Sequence, residues 1–154
     1  MAFDAPSLKG RALRLLSQRE HSRAELERKL AKHEEEPGTL AKALDELVAK
    51  DFISEPRVVA SVLHQRAARS GAARVRQELQ AKGIAPDAIA EAVASLQHTE
   101  VERATALWRR RFDAPPADAK ERAKQTRFLL ARGFSGAVVA KVLRSDFDEP
   151  TDDE

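Results

Sequence analysis

The 154-residue sequence predicts an all-α protein: three tandem three-helix repeats of about 50 residues, forming an elongated, curved helical array. Three observations lead there. Aromatic residues make up only 5% of the chain, so the core must be Leu, Val, Ile and Ala, a palette that suits helices better than sheets. Charged residues reach 34% and alternate in sign at helical spacing, as solvated helix faces do. The third observation is a recurring apolar pattern. Leu30, Leu79 and Leu129 lie 49 and 50 residues apart, and offsets of +10, +14 and +17 from each reach equivalent places. They land on Leu40, Leu44 and Leu47, then on Ile89, Val93 and Leu96, then on Val139, Leu143 and Asp146. Only Asp146 breaks the pattern. A period of this length marks a repeat array.

The elements follow in order. Residues 1–7 form an N-terminal segment, and unit one covers 8–53. Its first helix spans Leu8–Arg19 with Leu13 and Leu16 inward. Ser22-Arg23-Ala24-Glu25 is a capping box that opens the second helix, where Leu26 and Leu30 share a face. A third helix after Pro37-Gly38 presents Leu40, Leu44 and Leu47. Unit two covers 54–98. Ser54 caps its first helix, Pro56 sits in the first turn, and Val59, Val62, Leu63 and Arg66 follow at i, i+3, i+4, i+7. Unit three covers 99–144, with Val101, Ala104, Leu107 and Trp108 as its first apolar stripe and Trp108 in the core.

The punctuation also repeats. Lys82-Gly83-Ile84 and Arg132-Gly133-Phe134 close the second helices of units two and three. In each, a left-handed glycine ends the helix and the apolar residue packs back on its last turn. Lys82 and Arg132 complement the helix dipole there. Unit one has Glu34 in that place and a longer Glu34–Gly38 connection. Units this small are expected to bury their apolar faces by stacking on one another. Residues 145–154, acidic and containing Pro150, read as a disordered tail.

Composition narrows the function. There is no cysteine, so disulfides and thiolate metal sites are excluded. The start of the chain lacks a basic segment followed by a long apolar run, and no stretch approaches the roughly 18 apolar residues of a membrane span. A cytoplasmic monomer without membrane contact is expected. His21, His33, His64 and His98 are scattered, and no phosphate-binding glycine loop or serine nucleophile elbow occurs. The expectation is therefore a binding protein that is not an enzyme, with no cofactor and no metal. The net charge of +2 conceals a gradient. Residues 1–53 sum to zero, 54–98 to +2, 99–144 to +6, and the last ten residues to −6. A basic body of this kind implies an anionic partner.

The stretch Gly71-Ala72-Ala73-Arg74-Val75-Arg76-Gln77-Glu78-Leu79-Gln80-Ala81-Lys82-Gly83-Ile84 resembles the central signature of the RecX family of recombinase regulators. Ser22-Arg23-Ala24-Glu25-Leu26 through Lys29-Leu30, and Leu130-Ala131-Arg132-Gly133-Phe134-Ser135, resemble its flanking units in the same order. Together they cover about residues 8–144. One departure is the entry to unit two, Ser54-Glu55-Pro56-Arg57-Val58-Val59-Ala60, where the family commonly has paired acids before an aromatic and an alanine. The resemblance implies a protein that lies in the groove of the RecA recombinase filament on DNA. There it would hinder ATP hydrolysis, strand exchange and stimulated repressor cleavage, and so regulate recombinational repair and the SOS response.

Nine basic residues are candidates for the partner surface. Arg66, Arg69, Arg74 and Arg76 coincide with the signature; Arg74 could instead pair with Glu78, and Arg66 could pair internally. In Arg109-Arg110-Arg111 consecutive residues diverge by about 100°, so the three cannot address one site. Arg103 and Arg110 share a face opposite Val101 and Trp108, while Arg111 lays its stem along the core stripe. Lys120, Lys124 and Arg127, at i, i+4, i+7, make the cleanest basic stripe. The alternative reading is a nonspecific DNA-binding module, with weak, salt-sensitive phosphate contact. Its would-be reading helix, Pro86–Leu96, carries Asp87 and Glu91 and no Arg, Lys, Asn or Gln for base edges.

Overall fold

The structure, a computed structural model, describes residues 5–145. Asp146 and the acidic residues after it, where a disordered tail was expected, lie outside the described residues.

Nine helices and no strand occur among the described residues. They are α1 (Leu8–Gln18), α2 (Arg23–Leu30), α3 (Thr39–Ala49), α4 (Glu55–Arg66), α5 (Ala72–Ala81), α6 (Pro86–Gln97), α7 (Glu100–Arg111), α8 (Ala119–Ala131) and α9 (Gly136–Ser145). Their starts follow local chemistry. The Ser7, Ser22 and Ser54 hydroxyls and the Asp118 carboxylate each accept the backbone N–H three residues on. Ser22 and Glu25 complete the reciprocal capping box, with the Ser22 N–H donating to Glu25 Oε1 at 3.1 Å. Gly83 (φ +70°) and Gly133 (φ +91°) adopt the left-handed turn expected of them. In unit one a 3₁₀ turn, Ala31–His33, replaces it. Glu34, which stands where the other units have glycine, accepts the Leu40 N–H at 3.0 Å and so satisfies the start of α3.

Each triplet forms a bundle in which all three helices touch. The apolar residues gather into three separate clusters rather than one continuous core. Ala12, Leu26, Leu30, Leu40, Leu44, Leu47 and Ile53 fill the first. Val58, Val62, Val75, Leu79, Ile84, Ile89, Val93 and Leu96 fill the second. Ala104, Leu107, Trp108, Phe112, Leu129, Phe134, Val139, Val142 and Leu143 fill the third. Burial through stacking was expected from the repeat; instead each bundle closes its own core. In the third, Trp108 Nε1–H donates to Gln125 Oε1 at 2.8 Å and Gln125 Nε2 donates to the Ala114 carbonyl. A buried polar pair is thereby satisfied.

The bundles are joined by polar contacts at two related joints, each setting the carboxyl end of one unit's second helix against the amino end of the previous unit's second helix. At the first, Lys82 Nζ reaches Glu25 Oε1 at 3.0 Å and Arg28 donates to the Ala81 carbonyl. Arg57 pairs with Glu20 at 2.9 Å and with Asp51 at 3.0 Å. At the second, the Gly71 N–H donates to the Arg132 carbonyl at 2.7 Å and the Ala73 N–H to the Gly133 carbonyl at 3.2 Å. The Ala72 N–H donates to Glu100 Oε1 at 2.8 Å. Both turn glycines lie in these joints. A Cβ on Gly83 would come within 2.7 Å of Ala24 Cβ, and one on Gly133 would overlap Arg74. Close approach, as well as the left-handed backbone, therefore excludes a side chain at both.

Candidate interaction surface

The nine sequence-predicted cations separate into three groups. The first is a stripe on α8. Lys120, Lys124 and Arg127 are exposed on one helical face, and among the described residues none has an ion-pair or side-chain hydrogen-bond partner. The acid on α8, Glu121, accepts from Gln125 Nε2 through Oε1 at 3.4 Å. Arg110, on α7 of the same unit, and Arg69, beyond α4 in unit two, are also exposed without such a partner.

The second group lies on or beside α5: Arg66 and Arg74 are engaged but still reach solvent, and Arg76 is exposed. Arg66 Nε donates to Glu78 Oε2 at 2.8 Å, so the internal pairing open to it is made, across two helices. Arg74 does not pair with Glu78; its Nη1 donates to the Ala131 carbonyl at 3.1 Å, across the second joint. Arg66 and Arg74 line one hollow with Ser70, Gln77 and Glu78. Arg76 lines a different one, with Gln80, Ile84 and Pro86. The cluster that looked continuous in sequence is thus divided between two sides of α5, because residues two apart on a helix point about 200° apart.

The third group is Arg103 alone, and here the expected position is corrected. Arg103 does not share an exposed face with Arg110. Its side chain is 14% exposed and donates to the Ala67 and Ser70 carbonyls, each at 2.7 Å, to the Leu96 carbonyl and to Glu100 Oε1 at 2.6 Å. It also lies over the Phe134 ring, 5.9 Å from the centroid. Arg103 ties unit two to unit three and has no donor face left for a partner. Lys82 needs a similar revision: dipole complementation seemed sufficient for it, yet it spans the first joint to Glu25. Arg132 stacks on Phe128, and Arg111 on Phe112, which agrees with a stem laid along apolar surface.

Sequence reading did not find the joint residues. Glu25 gathers three donors, Arg19 Nη2 at 2.7 Å, Lys82 Nζ at 3.0 Å and the Ser22 N–H. Burial alone would raise its pKa, but those hydrogen bonds outweigh it and hold the carboxyl down to about 2. Beside it, His21 is buried. Burial, with the charges of Arg19 and Lys29, lowers its pKa against the opposing bond to the Arg19 carbonyl. The neutral ring follows: Nδ1 donates to that carbonyl at 3.0 Å and Nε2 accepts from Lys29 Nζ at 3.1 Å. Within α2, the capping box signalled only one of the three roles of Glu25.

This arrangement of three bundles with two glycine joints matches one family throughout. The first, second and third three-helix domains of RecX match residues 9–47, 54–93 and 98–143. The chain is 58% identical over 146 residues to the regulatory protein RecX of Leptothrix cholodnii, covering 94% of this chain and 93% of that one. The chain belongs to the RecX family. The RecX of Ralstonia nicotianae is 51% identical over 150 residues, with 94% of each chain covered. The solved RecX of Lactobacillus salivarius superposes with a TM-score of 0.77 at 20% identity over 90% of this chain and 93% of that one. A second RecX crystal structure gives 0.73 at 22% identity, over 88% and 70%. The RecX relatives are named as regulatory proteins, and the fold of the solved members is the fold of this chain. No helix among the described residues is long and apolar enough to cross a membrane.

Proposed function

We propose that this chain acts as a cytoplasmic monomer that lies in the groove of a RecA–DNA filament and restrains ATP hydrolysis, strand exchange and coprotease activity. Membership of a regulatory family supports the class of function. The observation that carries the surface assignment is the α8 stripe: Lys120, Lys124 and Arg127 at i, i+4, i+7, exposed and unneutralised. Arg110 on α7 and Arg69 on unit two are further exposed cations, and the solvent-reaching parts of Arg66, Arg74 and Arg76 lie on unit two. An array of three bundles can touch several protomers of a helical assembly, so weak contacts accumulate. Such a protein slows the filament only by binding one of its states better than another.

The test is filament ATPase rate against added protein, with Lys124→Glu/Arg127→Glu as the variant. Reversing two contacting charges raises the half-inhibitory concentration about tenfold or more. An inhibition curve indifferent to the reversal removes the α8 stripe from the contact.

The alternative, a nonspecific DNA-binding module, would rest on salt-sensitive phosphate contact by these same basic faces and not on base reading by α6. Ile89, Val93 and Leu96 of that helix face the core, and Asp87 and Glu91 are on its exposed side.

A further inference from the structure

Unit one, neutral in sum, holds a hollow with concentrated positive charge. A space of about 520 Å³ opens between α1 and α2. Its wall carries Arg11 and Arg14 from α1, Arg28 and Lys29 from α2, and Lys32 and His33 from the 3₁₀ turn, with no carboxylate among the lining residues. Leu15 and Leu30 supply apolar wall. The amino end of α1 is at the rim, where Gly10 and Pro6 contribute, and its dipole adds to the positive potential.

None of the unit's described acids lines this space: most are engaged elsewhere, and Glu35 and Glu36 are exposed in the connection after the 3₁₀ turn. Glu20, Asp51, Glu25, Glu27, Asp45 and Glu46 pair with Arg57, Arg19, Lys82, Arg23 and Lys9, none of which lines the hollow. Glu34 faces the α3 backbone. Arg11, Arg14 and Lys32 have neither an ion-pair nor a side-chain hydrogen-bond partner among the described residues. The crowding is felt by His33, whose pKa is lowered by desolvation and by the charges of Arg11 and Lys32.

Like charges held together without counter-charge attract an anion of matching shape. Guanidinium forks match phosphate oxygens, and the volume holds a nucleotide-sized group with its sugar and base against Leu15 and Leu30. The cleft between two helices admits a single strand and excludes the bulk of a duplex. We propose that this hollow binds the sugar-phosphate backbone of a single-stranded nucleic acid, with Arg11, Arg14 and Lys32 on its phosphates. Contact with phosphates rather than base edges makes the binding sequence-tolerant. This site is independent of the α8 stripe, and either can fail without the other.

The test is fluorescence anisotropy of a labelled oligo-dT titrated with the full chain at several salt concentrations. Arg11→Ala/Arg14→Ala/Lys32→Ala weakens binding about tenfold or more and lowers the slope of log affinity on log salt by about 2. Lys42→Ala/Lys50→Ala/Lys141→Ala removes the same charge from exposed positions outside the hollow and leaves affinity within about twofold. Equal loss in both variants, or loss in neither, overturns the proposal. So does a duplex competing as well as the strand, or a poly-glutamate peptide of equal charge displacing it. Circular dichroism confirms folding. Should the triple variant not fold, Arg14→Glu, a single change at an exposed position, decides by the same criteria.

Discussion

Glu25 shows how one side chain can serve a helix start and a joint together. Its carboxylate closes the α2 capping box, receives Arg19 and receives Lys82 from the next unit. Its pKa, held down to about 2, lies below the ordinary 4.5, so the ionised form is favoured by folding. The stabilisation is therefore complete above about pH 5 and is lost as the pH falls through the carboxylate range toward 2. His21 acts in the same direction: its lowered pKa makes protonation below the ordinary 6.5 oppose the folded state. Glu25→Gln is expected to destabilise the protein at pH 7 by about 1–3 kcal/mol, since Arg19, Lys82 and the Ser22 N–H lose a charged, buried acceptor. In denaturant melts the difference from the parent should shrink as the pH is lowered from 5 toward 3. A difference of constant size across that range would mean that the carboxylate charge is not what stabilises the joint.

Among the elements, the second helix of each unit carries the most. α2, α5 and α8 supply a fully buried or nearly buried leucine to their bundle, Leu30, Leu79 and Leu129, and the glycine turns after α5 and α8 enter the joints. Leu129→Ala leaves a cavity in the third core and costs about 2–5 kcal/mol. Because that core is separate, hydrogen exchange should accelerate in α7–α9 with little change in α1–α3. Uniform acceleration over the whole chain would show that the bundles unfold as one. Gly133→Ala acts differently. The added Cβ meets Arg74 and strains a left-handed turn, so the Gly71 and Ala73 amides, bonded to Arg132 and Gly133, should lose protection before the cores do. Protection unchanged at those two amides would contradict the joint geometry. The glycines were legible as helix closers in sequence; their second role was not, because the residues they approach belong to another unit.

For the whole molecule, three independent cores linked by hydrogen bonds and ion pairs imply limited cooperativity between units, as in other repeat arrays. The same organisation distributes charge. Unit three presents free lysines and an arginine on α8, unit two divides its arginines between two sides of α5, and unit one sets Arg11, Arg14, Arg28, Lys29 and Lys32 around the α1–α2 hollow. The net charge per unit, readable from the chain, ranked unit three first and unit one last. It missed the hollow because summing charges discards where the acids go. Charge reversal at Lys124 and Arg127 tests the outer stripe, and neutralising Arg11, Arg14 and Lys32 tests the hollow.

The order of residues alone determined the helical class, the three-fold repetition, the capped helix starts, the inward leucines and the place of Trp108. All of these depend on neighbours within one or two turns or on a pattern that recurs along the chain. Tertiary structure decided which cations remain free. Arg103 was drawn inward to the Ala67 and Ser70 carbonyls, 36 and 33 residues away, and Lys82 to Glu25, 57 residues away. The reason is that helical periodicity assigns a side chain to a face, whereas an ion pair between bundles depends on how two such faces meet.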